Sequence, residues 1–205
     1  MSDEEKTGSA GAESAAPETQ AEETAEKGKK SHNLAGVPPA AERPLVTVEQ
    51  MLKVAGSFAD KVFNLPAVAP KLKTSGMILK MEYYDPENWG DIEPEVTIDC
   101  TKDPIVITLG PCDIEPKATL RMHADIAHRF WMQRISMMVA LARRQMVLKG
   151  PMAAVMRLLP IIKPSYPSYR ETLKELEMFE LLAYPAGKET AEEPAADAEE
   201  APKTE

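Results

Sequence analysis

The chain has 205 residues, of which 43% are hydrophobic and 5% aromatic, and a formal net charge of −9. The acids gather at the ends: residues 1–42 hold nine acids and four bases, residues 186–205 seven and two, leaving 17 acids and 18 bases between them. A near-neutral middle has no basic face to offer, which argues against a nucleic-acid partner.

Both end segments are Ala, Glu, Thr, Ser and Lys with almost nothing large and apolar. Such chain cannot bury enough surface to offset the entropy of ordering, so 1–42 and 186–205 are expected to be disordered acidic tails. Their plain use is solubility and spacing, and their sharper use is docking on a basic partner. Residues 43–185 remain for one domain with a real core. The opening MSDEEKTGSA has no apolar signal-peptide region. The longest apolar run, MMVALA (137–142), is far too short to span a bilayer, and PKTE is no targeting address. A soluble, cytoplasmic protein is expected. Cys100 and Cys112 form neither a CxxC nor a Cys/His cluster, so zinc is not expected. A hairpin turn near Lys102-Asp103 sets Cys100 opposite about residue 105 rather than 112, so no disulfide is implied and a reducing compartment is the default.

In chain order, PLVTVEQMLKVAGSFADKVFN (44–64) predicts a helix with Thr47 as N-cap. Met51, Val54, Phe58, Val62 and Phe63 make its apolar face. Two prolines and a glycine break the chain over 65–76. MILKMEYY (77–84) predicts a strand, and DPENWGDIEP a polar loop. EVTIDCT (95–101) and PIVITLG (104–110) predict a hairpin, and ATLRMH (118–123) a fourth strand. The period then changes. Over 124–144 the pairs Ile126/Phe130 and Ala127/Trp131 mark a helical stripe, with a break expected near Ser136. Asp125 and Arg129 make an i,i+4 pair. QMVLKG (145–150) predicts a fifth strand and PMAAVMRLLPII (151–162) a helix with Pro151 at its first position. Ser168 and Glu171 predict a capping box for a last helix over 168–184, whose apolar face runs through Tyr169, Leu173, Leu176, Phe179 and Leu182. The order gives an α/β (α+β) domain: a five-stranded, mostly antiparallel sheet, built largely from hairpins and covered by helices on one face.

This order, with the run ATLRMHADIAHRFWMQRISMMVALARRQMVLKGPMAAVMRLLPII (118–162), resembles the sterol carrier protein 2 domain. Thr119 to Met122 match its fourth strand, Asp125 its acidic helix start, Met146 to Gly150 its fifth strand and closing glycine. Met152, Met156 and Leu158 match apolar positions of the next helix. Over about residues 45–162 the elements agree in order, while the residues upstream of 118 match only loosely. The chain departs from the family in three places: Gln133-Arg134 stands where the family often has Gly-Lys at the helix end, Met137-Met138 stands in what is often a Pro-bearing link, and Arg144 replaces a glycine before the fifth strand. A more helical link is therefore expected. Residues 163–185 lie outside the minimal module.

The resemblance implies a non-enzymatic carrier with an apolar tunnel for a sterol, fatty acid, acyl-CoA or phospholipid, and no cofactor. Ten methionines lie in 51–156. Their flexible thioethers suit a wall that accommodates several ligand shapes, although methionine on a helix is more often plain core. Phe130, Trp131, Met138, Leu141, Met152, Val155, Met156 and Leu159 are the expected lining.

Other features have a plain and a sharp reading. His123, Asp125 and His128 suggest a metal, but residues five apart on a helix point about 140° apart and His123 falls at a strand end, so none is expected. His128 is read as a surface or half-buried side chain. Trp131 either stacks on a ligand ring or covers core, and Trp89 either anchors its loop or rims an entrance, with transient membrane contact. Arg143, Arg144 and Lys149 make a solvated basic face or an anion site. No nucleophile–base motif or phosphate loop is present. The rival function is a non-catalytic subunit that docks on a lipid- or steroid-metabolising enzyme through helix 168–184 and the acidic tails.

Overall fold

The computed structural model describes residues 32–184; the two acidic ends outside that range, on which the expectation of disorder falls, lie beyond the described residues. The N-terminal boundary moves, because residues 32–42, expected within the tail, hold defined contacts. Asn33 donates to the Arg144 carbonyl at 2.7 Å, Tyr84 donates to the Asn33 carbonyl at 3.0 Å, and a 3-10 turn forms at Ala40–Glu42.

Helix α1 (Val48–Asn64) starts where the sequence places it, with Thr47 and Gln50 closing a reciprocal capping box. Val54, Phe58, Ala59 and Val62 are its buried stripe. The broken segment that follows contains a second helix, α2 (Ala69–Ser75), with Pro70 in its first turn, where a missing N–H costs nothing, and Gly76 left-handed beyond its end. Strand β1 (Ile78–Tyr84) leads to the short helix α3 (Pro86–Trp89) inside the expected loop. Strands β2 (Glu95–Asp99), β3 (Val106–Leu109) and β4 (Ala118–His123) follow, then helices α4 (Ala124–Trp131) and α5 (Met137–Ala142), strand β5 (Met146–Lys149) and helix α6 (Met152–Met156). The last helices are α7 (Leu159–Ile162), α8 (Tyr166–Glu175) and α9 (Phe179–Ala183).

The five strands form one sheet in the order β3-β2-β1-β4-β5. The pairings β1–β2, β2–β3 and β4–β5 are antiparallel, and β1–β4 is parallel, with Leu79 opposite Ala118 and Tyr84 opposite His123. The sheet alternates sharply. Leu79, Met81, Tyr83, Val96, Ile98, Leu120 and Met122 point to the helices. The other face carries charge, with Lys80 paired to Glu95 at 2.7 Å and Arg121 forked onto Glu93 at 2.7 Å.

Three expectations about helices need correction. The link between α4 and α5 is a turn, not helix. Gln133 (φ 60) and Arg144 (φ 57) adopt the left-handed conformation, at the two places where the related pattern has glycine. Each terminates a helix through a 6→1 bond, Arg134 N–H to the Arg129 carbonyl at 2.7 Å and Gln145 N–H to the Ala140 carbonyl at 2.8 Å. Second, 151–162 is not one helix: Pro151 is the N-cap of α6, and the chain breaks between α6 and α7, with Pro160 in the first turn of α7. Third, Ser168 and Glu171 form no capping box, because α8 starts earlier, at Tyr166, with Pro167 in its first turn. Glu177 (φ 55) then ends α8 and separates α9, so the apolar face does not continue: Phe179 is 62% exposed and Leu181 is buried instead. Among the described residues no helix is long and apolar enough to cross a membrane.

Candidate functional site

The helix-facing side of the sheet and the helices above it do not meet in full contact. Between them lies a cavity of about 190 Å³. Its floor is Leu79, Met81 and Tyr83 of β1, Val96 and Ile98 of β2, Leu120 and Met122 of β4, and Met146 of β5. Its roof is the α1 stripe with Ala127, Phe130 and Trp131 of α4, and Val155, Leu158 and Leu159 further on. Six methionines line it (Met51, Met77, Met81, Met122, Met137 and Met146), unbranched side chains that can repack around different guests. Apolar cavities of this order stay dry and take up apolar guests.

The cavity is long. Along α1 it runs from Met51 to Phe63, roughly 18 Å at 1.5 Å per residue; along β1 it runs from Met77 to Tyr83, roughly 20 Å at strand rise. Its roof carries an aromatic cluster. Phe58 meets Trp131 edge-on at 4.6 Å and Tyr169 at 5.3 Å, and Phe130 meets Trp131 at 5.0 Å.

One end, near the start of α1, is polar. Arg43 grips Asp85 through Nη1 at 2.7 Å and Nη2 at 3.3 Å, and Nη2 also reaches Glu87 at 2.5 Å. The Arg43 and Asp85 side chains are 4% and 5% exposed. Burial alone would raise the Asp85 carboxyl, but His123, Arg43 and Asn88 outweigh it and hold it well below the usual carboxylate range. Burial likewise disfavours the Arg43 charge, and the two carboxylates more than compensate. His123 ends β4 and caps α4, its Nδ1 accepting from the Asp125 N–H at 3.0 Å, with Nε2 3.5 Å from Asp85. Tyr184 donates its hydroxyl to Asp125 Oδ1 at 2.8 Å, and Arg129 stands 3.5 Å from Oδ2 as the i,i+4 pair predicts. Burial and the neighbouring Asp125 push the Tyr184 phenol up.

His128 is fully engaged. Nε2 lies 2.9 Å from the Tyr184 carbonyl and Nδ1 2.9 Å from the Tyr169 hydroxyl. A carbonyl only accepts, so Nε2 carries the proton and Nδ1 accepts from Tyr169. Burial lowers the His128 pKa and keeps the imidazole neutral. The expectation of a surface or half-buried histidine is therefore corrected: His128 is 6% exposed.

Of the eight expected lining residues, Phe130, Trp131, Val155 and Leu159 face the cavity. The other four do not. Met138 and Met152 are 55% and 47% exposed, and Leu141 and Met156 are half-buried outside the lining. The physical reason is the short length of α5 and α6. With only six and five residues, each turns few positions inward, and Met137, Ala140 and Val155 take them. Trp89 is a loop anchor, buried, with its indole N–H on the Val46 carbonyl at 2.7 Å. Trp131 packs on Phe58 and Phe130 and lines the cavity. Arg143, Arg144 and Lys149 are exposed and outside the cavity. Cys100 and Cys112 are free. Among the described residues no His, Cys, Asp and Glu group is placed to hold a metal.

Sequence reasoning missed most of the wall, because α1 and the strands read simply as core-facing. Strand alternation could have found the floor. Nothing local marks Arg43, whose partner is 42 positions away.

No family model and no curated protein matches the chain. Several solved structures are similar in fold. Sterol carrier protein 2 from Yarrowia lipolytica, in its apo form, matches at 11% identity and a TM-score of 0.47, covering 60% of this chain and 97% of that one. The sterol carrier protein domain 2 of Helicoverpa armigera matches at 13% identity and 0.47, over 60% and 95%. Sterol carrier protein 2 like 2 from Aedes aegypti matches at 11% and 0.43, over 55% and 96%. These three neighbours carry the sterol carrier protein 2 name.

Proposed function

We propose that the protein binds one hydrophobic ligand (a sterol, fatty acid, acyl-CoA or phospholipid) in the cavity between sheet and helices, and carries or presents it without chemical change. The observation that carries this reading is the long apolar cavity itself. A foldable chain normally closes such space, since interiors pack to crystal density, and this one keeps it open along a helix and four of the five strands. Each buried ligand methylene contributes about 0.8 kcal/mol, so a long chain binds without a special polar partner. Two details favour a carrier over an enzyme. Both nitrogens of His128 are occupied, and burial pushes the Cys100 thiol up to about 11, leaving it protonated and unreactive at neutral pH. The rival docking reading keeps less support, because Tyr169 and Leu173 of α8 are buried in the chain's own core and of that expected face only Phe179 of α9 is exposed. A cytoplasmic setting fits the two free cysteines.

The test is native mass spectrometry of protein purified without detergent, followed by organic extraction. A stoichiometric co-purifying lipid is expected. Empty protein that also refuses fluorescent fatty acid and sterol would sink the carrier reading and return attention to a protein partner.

A further inference from the structure

The cavity has two unlike ends. At the polar end Arg43 is the only lysine or arginine among the described residues that line the cavity, and its charge is already matched by Asp85 and Glu87. Its Nε has no partner, but Asp85 and Asp125 share that end, so an anionic group placed there would face two carboxylates in a water-poor site. At the opposite end, where α1 gives way to α2 and β1 begins, a second hollow of about 560 Å³ lies between α2 and α6–α7. Met77 and Leu158 line both hollows and form the partition. Both are buried, at 5% and 7% exposure. The outer groove carries Lys71 and Arg157. Unlike Lys73, which pairs with Asp103, neither has a carboxylate partner among the described residues.

We propose that the groove between α2 and α6–α7 is a headgroup site for an anionic single-chain amphiphile, with its carboxylate or phosphate at Lys71 and Arg157 and its tail passing Met77 and Leu158 into the cavity. The proposal rests on the carrier reading and adds the ligand's charge and direction. It follows from opposed electrostatics at the two ends: one is acidic and already paired, the other holds two unpaired cations beside the two apolar side chains that line both hollows. Arg157 can fork onto either anion, and Lys71 adds a point charge.

The experiment compares hexadecanoate, hexadecyl phosphate and hexadecanol as competitors of a fluorescent fatty acid, on the full chain and on Lys71→Ala/Arg157→Ala. Both side chains are exposed, so folding is expected to be unaffected, and a thermal melt checks it. The variant should weaken the anions about three- to tenfold, as two solvent-exposed ion pairs allow, and leave hexadecanol unchanged. Weakening of one anion alone assigns the head to that group. Equal weakening of all three ligands, or of none, overturns the proposal while the carrier reading stands. If none of the three binds the unaltered chain, the carrier reading fails and this proposal with it.

Discussion

Ala59→Leu separates an open cavity from a packed core by the sign of its effect. Ala59 sits on α1, 7% exposed, with its methyl on the cavity. Leucine is nearly as good a helix former as alanine, so propensity changes little. The substitution adds three carbons. If they enter empty apolar space, burial contributes about 0.8 kcal/mol each, or about 2.4 kcal/mol. Fixing the leucine rotamer takes back about 0.5–1 kcal/mol. The net is a gain of about 1.5 kcal/mol, which for a domain of this size raises Tm by roughly 5 °C. The assay is urea unfolding of delipidated protein, since bound lipid would raise the apparent stability of the unaltered chain by mass action. The urea slope should not change, because the surface exposed on unfolding is nearly the same. The variant should also take up less fluorescent fatty acid. A loss of about 1–3 kcal/mol, the usual result of overpacking, would mean that Ala59 already touches a filled interior and would refute the cavity argument.

Arg43→Met leaves Asp85 buried without its cation and should cost about 3–5 kcal/mol in urea unfolding; a loss below 1 kcal/mol would show that the pair is solvated. The pH dependence carries a second sign. The folded His128 pKa lies below the unfolded value, so its contribution is complete above the unfolded pKa near 6.5 and is lost as pH falls below it, with a slope of at most about 1.4 kcal/mol per pH unit. Stability measured from pH 7.5 to 5.5 should therefore fall, and His128→Asn should flatten that part of the curve; an unchanged slope in the variant would assign the titration elsewhere. Ligand uptake should alter tryptophan emission through Trp131, which lines the cavity, and not through Trp89, which does not. Trp89→Phe should keep the change and Trp131→Phe should lose it; the reverse result would place the ligand elsewhere.

Those tests fall on different parts of the sequence record. Elements whose signal is local were legible: Thr47 as a cap, the period-two alternation of β1, β2 and β4, the Ser136 break between α4 and α5. Each depends on residues within one turn or one pleat of each other. What failed depends on competition between neighbours. Ser168 and Glu171 have the spacing of a capping box, but Pro167 suits a first turn even better, and the helix starts two residues earlier, at Tyr166. The run 151–162 reads as a single amphipathic helix until Pro160 removes a backbone donor. Gln133 and Arg144 read as departures toward helix, yet the chain still has to turn at both points, and it does so in the left-handed conformation that glycine would adopt more cheaply.

The candidate site shows the same division on a larger scale. The methionine content pointed toward an adaptable wall, and the wall does contain six methionines, but Met138, Met152 and Met156 are not among them. Composition reports how much soft apolar volume the domain holds. It does not report which short helix turns a given residue inward, because that is decided by where the helix is cut. The polar end is further out of reach of local reading. Arg43 lies at the edge of a segment rich in acids, and Asp85 reads as an ordinary turn residue before proline. Only the parallel pairing of β1 with β4 sets Tyr84 beside His123 and so brings Asp85, His123 and the start of α4 together. Asp85 is thereby held ionised in a nearly dry site, which is tolerated because Arg43, from the segment before α1, and His123, from the end of β4, both reach it. An acidic, already paired end beside an apolar cavity restricts what a bound molecule can present there. That restriction, more than the cavity volume, is what directs an anionic head toward Lys71 and Arg157.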